Sequence, residues 1–333
     1  MPPSSTQWET ALMPSLAGRV VVVTGANTGL GFATTLPLVR KGALVVLACR
    51  DATRGQAAAQ RIRELIQQER DDGLAEAVAK EQEGTAEYMN LDVGSLASVR
   101  AFATAFAARF DHLDLLVLNA GVKAIKHATT VDGFESQFGV NHLGHFALTA
   151  LLFDALKRSA SGARVVTVSS ISHHGCGVDF ANLSASPDKY AAMDAYRASK
   201  LCNMLFAYEL HRRLQLAGVA NVVSVPCHPG VTESNLLPNL LENYDSAIIR
   251  GLIRFVHSLP WAQTNAMGAL CVLCAATDPQ VAAGEYIGPH GFWEFYGYPR
   301  VVGSSKQSLS LEDAARLWTE SEKLTGVQFN VTK

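Results

Sequence analysis

A tyrosine and a lysine four residues apart, in the segment Tyr196-Arg197-Ala198-Ser199-Lys200, are the side chains of this sequence best suited to acid–base chemistry. On a helix, residues at this spacing lie on the same face. A phenol has an ordinary pKa of about 10 and is a poor base at neutral pH. We expect the Lys200 ammonium to lower the pKa of Tyr196, which makes proton transfer to or from a substrate oxygen feasible. A Tyr–Lys pair alone is usually only a surface contact.

Ser170 makes the pair informative, because it follows a predicted strand over residues 164–169. In a doubly wound sheet the carboxyl ends of the parallel strands form the ligand crevice. Four residues fall at such ends and are expected to converge: Gly25, Asp92, Asn119 and Ser170. A hydroxyl, a phenol and an ammonium would then meet in one crevice.

A glycine-rich turn, Thr24-Gly25-Ala26-Asn27-Thr28-Gly29-Leu30-Gly31, stands between the first predicted strand and the first predicted helix. Glycines there let backbone N–H groups approach a pyrophosphate, and the helix N-terminus adds partial positive charge. The spacing is G-x-x-x-G-x-G, which differs from the G-x-G-x-x-G of the common dinucleotide motif. The turn predicts a dinucleotide site, and a glycine turn without a ligand is the alternative.

The residues that follow the second and third strands bear on which dinucleotide binds. A carboxylate after the second strand would repel a 2′-phosphate, but the sequence has Arg50 there, a planar cation that suits a phosphate. We therefore expect NADP(H) to be preferred, with NAD(H) possible. Asp92-Val93 follows the third strand, and Asp92 could bond the adenine amino group. The alternatives are that Arg50 pairs with Asp51 and that Asp92 only caps a helix.

Short apolar runs alternate with helical patterns along the chain. The runs are too continuous for strands with one wet face, so they predict a parallel sheet covered by helices on both sides. The predicted strands cover residues 20–23, 43–49, 88–91, 115–118, 164–169 and 222–225, with a short last strand in 284–288. The predicted helices cover residues 30–41, 52–79, 98–109, 134–156, 191–217, 266–276 and 311–324. The predicted fold class is α/β, a doubly wound, Rossmann-type parallel sheet with a helical substrate flap.

One domain is preferred to two, because no repeat or low-complexity linker divides the chain. Residues 1–17 are predicted to form a loose N-terminal arm and residues 18–333 a single dinucleotide-binding catalytic domain. Residues 231–265 carry apolar pairs between polar residues, and we interpret them as a helical flap. The flap would cover either a lipophilic carbonyl or alcohol, or a subunit interface. The stretch 67–83 is interpreted as an insertion whose role the sequence does not explain.

Composition excludes several classes of function. Hydrophobic residues make up 48% of the 333, which is enough for a large core and excludes a mostly disordered chain. The formal net charge of -2 gives no electrostatic drive toward nucleic acid or an anionic membrane. No secretory signal or membrane-spanning apolar run is found. Only 17% of residues are charged, which favours subunit contacts, as in a homodimer or homotetramer, or an apolar ligand site.

The six cysteines are too few and too scattered for a disulfide scaffold. Cys49, Cys202, Cys271 and Cys274 sit in apolar runs and are expected to be buried, reduced thiols, which favours a reducing compartment such as the cytoplasm. Cys271 and Cys274 have C-x-x-C spacing, but no second pair or nearby histidine completes a zinc set. No metal site is therefore expected.

Together, these motifs resemble those of the short-chain dehydrogenase/reductase family, over roughly residues 17–290. The pieces that carry the resemblance are the glycine turn, Asn119-Ala120-Gly121, Ser169-Ser170, Tyr196 to Lys200 and Pro229-Gly230. Within the family, the chain is most similar to the retinol-dehydrogenase-like branch. The similarity lies in Leu47-Ala48-Cys49-Arg50, Asn141-His142-Leu143-Gly144-His145-Phe146, Val168-Ser169-Ser170 with His173-His174, and His228-Pro229-Gly230.

The resemblance implies a catalytic tetrad of Asn141, Ser170, Tyr196 and Lys200. Tyr196 would donate the proton in reduction and accept it in oxidation. Ser170 would hydrogen-bond the substrate oxygen, with Ser169 as the alternative for this role. Lys200 would lower the tyrosine pKa and bond the nicotinamide ribose, and Asn141 would hold a water that links Lys200 to solvent.

The resemblance also implies cofactor contacts along the whole crevice. Thr232 and Ser234 stand where the family binds the nicotinamide carboxamide. The full set expected to contact the cofactor is Gly25, Asn27, Thr28, Gly29, Leu30, Gly31, Arg50, Asp92, Val93, Asn119, Ala120, Gly121, Tyr196, Lys200, Pro229, Gly230, Thr232 and Ser234. Thr28 stands where many NADPH-dependent members have a basic residue, so the NADPH preference rests mainly on Arg50. His173 and His174 either border the substrate or have a structural role.

The implied function is NADP(H)-dependent interconversion of a small-molecule carbonyl, an aldehyde or ketone of lipophilic character, and an alcohol. A non-catalytic dinucleotide-sensing or scaffold protein on the same fold is the alternative, and it would need the glycine turn but neither Tyr196 nor Lys200. An epimerase or dehydratase using the same dinucleotide is a further alternative. Those enzymes usually carry a longer C-terminal substrate domain.

Overall fold

The computed structural model describes residues 7–72, 84–183, 186–232 and 262–332, and within them one eight-stranded sheet. The strands are β1 (Val20–Thr24), β2 (Leu44–Cys49), β3 (Thr85–Asn90), β4 (Leu115–Leu118), β5 (Ala163–Val168), β6 (Val222–Cys227), β7 (Ile287–Pro289) and β8 (Pro299–Val301). Their order is β3-β2-β1-β4-β5-β6-β7-β8, and all neighbours are parallel except β7 and β8. The predicted α/β fold with a doubly wound parallel sheet is confirmed.

Helices cover both faces of this sheet. They are α1 (Gly29–Arg40), α2 (Ala52–Asp71), α3 (Leu96–Ala107), α4 (Gly144–Lys157), α5 (Ala192–Ala217), α6 (Asn265–Thr277) and α7 (Leu311–Thr325). In β1, Val21 and Val23 belong to the core formed with α1, α2 and α6, whereas Val20 and Val22 belong to the core formed with α3, α4, α5 and α7. Successive strand side chains face opposite sides of a sheet, so a strand with two covered faces must be apolar throughout.

The described part of the N-terminal arm, residues 7–17, is not loose. Trp8, Met13 and Leu16 are at most 9% exposed and pack into the core on the α1 and α2 side. The backbone N–H of Leu16 also donates to the Lys41 carbonyl oxygen at 2.7 Å. The expectation of a loose arm is therefore wrong for these residues, because their spaced apolar side chains find a surface that the sequence alone does not display.

Two predicted segments fall largely outside the described residues. The insertion expected over 67–83 is described only as far as Asp72, and α2 ends at Asp71 rather than at residue 79. The flap expected over 231–265 is described only at 231–232 and 262–265, and Ser234 lies outside as well. The helix predicted over 134–156 runs without a break from residue 136 to residue 157, with one α-helical turn (Ser136–Phe138) and a π-helical segment (Gly139–Leu143) before α4.

The thiols follow the sequence-based expectation. All six cysteines are free, and all except the half-buried Cys176 are buried. Across the described ranges, no three His, Cys, Asp or Glu side chains are arranged to hold a metal ion. None of the helices in the described part of the chain is both long enough and apolar enough to cross a bilayer.

Candidate active site

A cavity of about 1000 Å³ lies at the carboxyl ends of β1 to β5. It extends from the glycine turn between β1 and α1 to Tyr196 and Lys200 on α5. Gly25, Asp92 and Asn119 line it, and Ser170 follows the lining residue Ser169 in the chain. Three of the four residues predicted to converge therefore line one space that is large enough for a dinucleotide, and Ser170 is not among the lining residues.

Close backbone approaches hold the glycine turn. Gly25 has a φ of +65°, a left-handed conformation that favours glycine. A Cβ on Gly31 would lie 2.3 Å from the Gly25 carbonyl oxygen and 2.7 Å from the Asn119 amide nitrogen. Thr28, the residue before α1, makes no side-chain capping hydrogen bond. The N–H groups of the first turn of α1 are therefore available to a phosphate, and the turn fits the pyrophosphate of a dinucleotide.

Replacing Gly31 by alanine is expected to destabilise the protein by about 1–3 kcal/mol and to weaken nucleotide binding, because the added methyl group must displace backbone at the turn. Urea unfolding and a nucleotide titration measure both effects. Gly303→Ala is the matched control, since a Cβ there meets nothing within 4 Å. Equal effects of the two substitutions would contradict the expectation.

Asn119 joins the ends of β1 and β4. Its side-chain amide donates to the Thr24 carbonyl oxygen at 2.8 Å, and the N–H groups of Asn119 and Ala120 each donate to the Thr24 hydroxyl at 2.9 Å. His145 extends the cluster, because its Nδ1 donates to the Asn141 carbonyl oxygen at 3.0 Å and its Nε2 then accepts from the Thr24 hydroxyl at 2.9 Å. This buried cluster fixes the wall of the cavity beside the glycine turn.

At the adenosine end of the cavity, Arg50 is exposed and its side chain bonds no described residue. Asp51 instead accepts from the Arg54 N–H at 2.9 Å, which caps α2, and pairs with the Arg54 guanidinium at 3.6 Å. The alternative that Arg50 pairs with Asp51 is therefore wrong. The sequence analysis did not single out Arg54, which also lines the cavity.

Asp92 and Val93 also line the cavity, after β3. Asp92 Oδ1 accepts from the Gly94 N–H at 2.9 Å. Helix α3 is capped by Ser95, whose hydroxyl accepts from the Ser98 N–H at 3.3 Å. The alternative that Asp92 only caps a helix is therefore wrong, and the role of its carboxylate toward a nucleotide base stays a prediction.

The two neighbouring serines after β5 have different partners. The Ser169 hydroxyl is buried and donates to the Lys200 carbonyl oxygen at 2.8 Å, which ties β5 to α5. Ser170 interacts with the Tyr196 phenol and lowers its pKa in part. The geometry thus favours Ser170 over Ser169 as the residue that accompanies the phenol.

Burial dominates the environment of Tyr196. It raises the pKa of the phenol, and the hydrogen bond with Ser170 only partly offsets this. The Lys200 ammonium lies 5.9 Å from the centroid of the tyrosine ring and donates to the Val168 carbonyl oxygen at 3.0 Å. In this arrangement the phenol pKa is therefore raised rather than lowered, because burial is the largest cause of the shift.

Two ammonium groups flank the tyrosine ring. Lys123, which the sequence analysis missed, places its Nζ 5.4 Å from the ring centroid. Burial lowers the pKa of Lys200 to about 8, an effect that Cys227 opposes and Lys123 reinforces. Burial lowers the pKa of Lys123 as well. The end of the cavity at Tyr196 therefore holds two basic side chains.

Asn141 lies in the π-helical turn, a deviation that is frequent at functional sites. Its Oδ1 accepts from the Val122 N–H at 2.8 Å, and its Nδ2 donates to the Val122 carbonyl oxygen and the Ser199 hydroxyl, both at 2.9 Å. These bonds join the segment after β4 to α5. Asn141 does not line the cavity, and its water-holding role stays a prediction.

His173 is a structural residue. Its Nδ1 donates to the Ser170 carbonyl oxygen at 2.7 Å, and its Nε2 accepts from the Ser305 N–H at 3.1 Å. With these two hydrogen bonds, the neutral imidazole of His173 holds the loop that carries Ser170 in place. His174 is exposed and borders a second hollow, with Ile171, Gly291, Trp293, Glu294 and Arg300.

Three buried histidines should make the protein less stable in mild acid. Burial lowers the pKa of His142 to about 3, and of His145 and His173 to about 4, from an ordinary 6.5. Below pH 6.5 the unfolded chain binds these protons and the folded chain does not. The free energy of unfolding is thus expected to fall as the pH drops from 6.5 toward 4, by about 1.4 kcal/mol per pH unit for each histidine.

Urea unfolding at pH 7, 6 and 5.5 measures this slope. In His173→Gln the free energy of unfolding should depend less steeply on pH. Substitution of the exposed His290 is the matched control and should leave the slope unchanged. A stability that stays constant over this range would contradict the expectation.

Most of the predicted cofactor residues share the cavity. Those that line it are Gly25, Asn27, Thr28, Gly29, Leu30, Gly31, Arg50, Asp92, Val93, Asn119, Ala120, Gly121, Tyr196, Lys200, Pro229 and Thr232. Gly230 does not line it, and its backbone instead packs closely on Phe295, since a Cβ there would lie 2.4 Å from the Phe295 carbonyl oxygen. Besides Arg54 and Lys123, the sequence analysis missed Asn265, which α6 brings to the cavity from far along the chain.

A family model described as short chain dehydrogenase matches residues 19–245. The chain belongs to this family. Retinol dehydrogenase 12 of Mus musculus is 38% identical over 316 residues, which cover 94% of this chain and 88% of the relative. The WW domain-containing oxidoreductase of Gallus gallus is 38% identical over 332 residues, covering 96% of this chain and 71% of that protein.

Among solved structures, the crystal structure of an uncharacterized protein from Mycobacterium paratuberculosis is similar, with a TM-score of 0.74 and 36% identity. It covers 98% of this chain and 100% of its own. This short-chain dehydrogenase is thus an oxidoreductase of the retinol-dehydrogenase-like branch. Its class binds a nicotinamide dinucleotide and interconverts alcohols and carbonyl compounds.

Proposed function

We propose that the protein is an NADP(H)-dependent reductase and dehydrogenase that interconverts a lipophilic aldehyde or ketone and the corresponding alcohol. The grouping of Tyr196, Ser170 and Lys200 carries the proposal, because it stands at one end of a cavity that begins at the glycine turn. The lipophilic substrate is supported by relatives whose names contain retinol, a lipophilic alcohol.

The preference for NADP(H) is supported by the two arginines at the adenosine end of the cavity. The Arg50 guanidinium bonds no other described residue, and Arg54 also lines this end of the cavity. Planar guanidinium groups suit a phosphate monoester such as the 2′-phosphate. The Asp51 carboxylate, which would otherwise repel that phosphate, is paired with Arg54.

The bound nicotinamide would supply the hydride that reaches the carbonyl carbon. Tyr196 would donate its phenolic proton to the carbonyl oxygen, and its raised pKa keeps the phenol protonated at neutral pH before the transfer. The Ser170 hydroxyl would hold the same oxygen in place. The Lys200 ammonium would stabilise the phenolate that remains, and with a pKa of about 8 it can pass on a proton near neutral pH.

A panel of aldehydes and ketones of short and long chain length, assayed by NADPH absorbance and repeated with NADH, tests the function. We expect carbonyl-dependent oxidation of NADPH that is faster with the long-chain compounds and slower with NADH. If no carbonyl compound stimulates oxidation of either nucleotide, the proposal fails.

The six free thiols support a further proposal, that the protein works in a reducing compartment, the cytoplasm.

A further inference from the structure

Lys123 lies in the active-site cavity, and no residue in the described part of the chain pairs with its charge. Lys123 lies in the segment after β4, next to Gly121 and Val122. Its half-buried side chain lines the cavity together with Tyr196 and Lys200. Within the described ranges, its ammonium makes neither an ion pair nor a hydrogen bond, and its contact is with the face of the Tyr196 ring at 5.4 Å. An ammonium that is partly removed from water usually gains a counter-charge.

The position of Lys123 is set by the fold rather than by a freely moving loop. Asn141 bonds both backbone groups of Val122, the preceding residue. The next residue, Ala124, is buried, and its N–H donates to the Gln137 side-chain oxygen at 2.7 Å. Held on both sides, Lys123 points its charge at the same ring as Lys200.

The charges around Tyr196 are unbalanced. The only carboxylates among the described lining residues are Asp51, which pairs with Arg54, and Asp92, which follows β3 at the edge of the sheet. Lys123 and Lys200 repel each other, and this repulsion adds to the effect of burial on Lys200. An anion bound between Lys123 and the phenol would relieve both the repulsion and the loss of hydration.

We infer that Lys123 is a substrate-specificity residue that pairs with a carboxylate on the substrate, so that the natural substrate is an oxo acid or the matching hydroxy acid. The inference rests on the proposed carbonyl–alcohol chemistry and narrows its substrate class. The carboxylate would lie against Lys123 while the carbonyl oxygen meets Tyr196 and Ser170. An apolar remainder of such a molecule agrees with the lipophilic substrate proposed above.

A matched panel of oxo acids and their methyl esters tests this inference. The acids carry the carbonyl group two, three, four or five carbons along from the carboxylate, and each ester has the same skeleton without the charge. In the wild type we expect kcat/KM to be about tenfold or more higher for at least one acid than for its ester. In Lys123→Met this acid-to-ester ratio should fall about 10- to 100-fold, chiefly through KM of the acid.

Two further variants separate the charge from other effects. Lys123→Arg keeps the positive charge and should keep most of the ratio. Lys126→Met removes an exposed lysine of the same segment that does not line the cavity, and it should leave the ratio at the wild-type value. If the ratio is the same in Lys123→Met as in the wild type, or if every ester is used as well as its acid, the inference is overturned.

The dissociation constant of NADPH, measured by fluorescence in the same variants, shows whether Lys123 serves the cofactor instead. A loss of NADPH affinity in Lys123→Met with an unchanged acid-to-ester ratio would overturn the inference. Ligand-observed NMR of 4-oxopentanoate and its methyl ester, with and without NADP⁺, needs no turnover. If the wild type reduces no carbonyl compound, the proposed function fails. The inference then stands only if 4-oxopentanoate binds the wild type more strongly than its ester does, and if this difference is lost in Lys123→Met. Any other binding result overturns the inference.

Discussion

Replacing Tyr196 by phenylalanine is expected to lower kcat by about 10²- to 10⁴-fold, because it removes the group that exchanges a proton with the substrate oxygen. The ring is only 8% exposed and the substitution retains it, so packing should persist. The dissociation constant of NADPH should stay within about twofold of wild type, since the glycine turn and the arginines are untouched. Steady-state kinetics and a fluorescence titration of NADPH measure the two quantities.

Tyr296→Phe is the matched control for this variant. Tyr296 is 41% exposed and does not line the cavity, so loss of its hydroxyl should leave kcat unchanged. Near-normal turnover in Tyr196→Phe would remove the phenol from the chemistry. The dinucleotide-sensing alternative would then gain support, because a sensor requires the glycine turn and not the tyrosine.

Replacing Arg50 by serine is expected to lower kcat/KM for NADPH by about 10- to 100-fold and to change that for NADH much less. The physical reason is that a guanidinium bonded to a phosphate monoester contributes charge-assisted hydrogen bonds that a ribose hydroxyl does not use. Arg54→Ser should have a smaller effect, because Arg54 already shares its charge with Asp51 and its side chain is 77% exposed. The ratio of the two kcat/KM values is the measurement.

The control for the Arg50 variant is Arg61→Ser, which removes a cation from α2 at a position outside the cavity lining. It should leave the ratio for the two nucleotides unchanged. A wild type that prefers NADH, or an Arg50→Ser variant that still prefers NADPH by the same factor, would show that the 2′-phosphate is recognised elsewhere.

At the adenosine end of the site, the sequence predicted the features that depend only on which residues follow each strand. The cation at Arg50 and the glycine turn each follow a strand, so their place at the carboxyl edge of the sheet follows from the alternation of strands and helices. Which acid pairs with which base did not follow. Asp51 is next to Arg50 in sequence, yet it caps α2 and turns toward Arg54, because an N-cap side chain bonds the N–H groups of its own helix.

The reactive end divides in the same way. Tyr196 and Lys200 are one helical turn apart, so their shared face was predictable from spacing alone. The raised pKa of the phenol was not, because desolvation depends on the neighbours that the whole fold places around the ring. The hydrogen bond between His173 and Ser305 joins residues that are distant in the chain, and no local sequence pattern predicts it.

By itself, the sequence determined the class of fold and the side chains of the proposed chemistry. Strands that are buried on both faces must be apolar throughout, and a glycine turn between a strand and a helix suits phosphate binding. Only the tertiary structure decided that Trp8 packs in the core, that Lys123 faces the Tyr196 ring and that Asn265 reaches the cavity. The reason is physical: local spacing governs hydrogen bonds within one element, whereas burial, charge balance and pKa are set by neighbours that come from elsewhere in the chain.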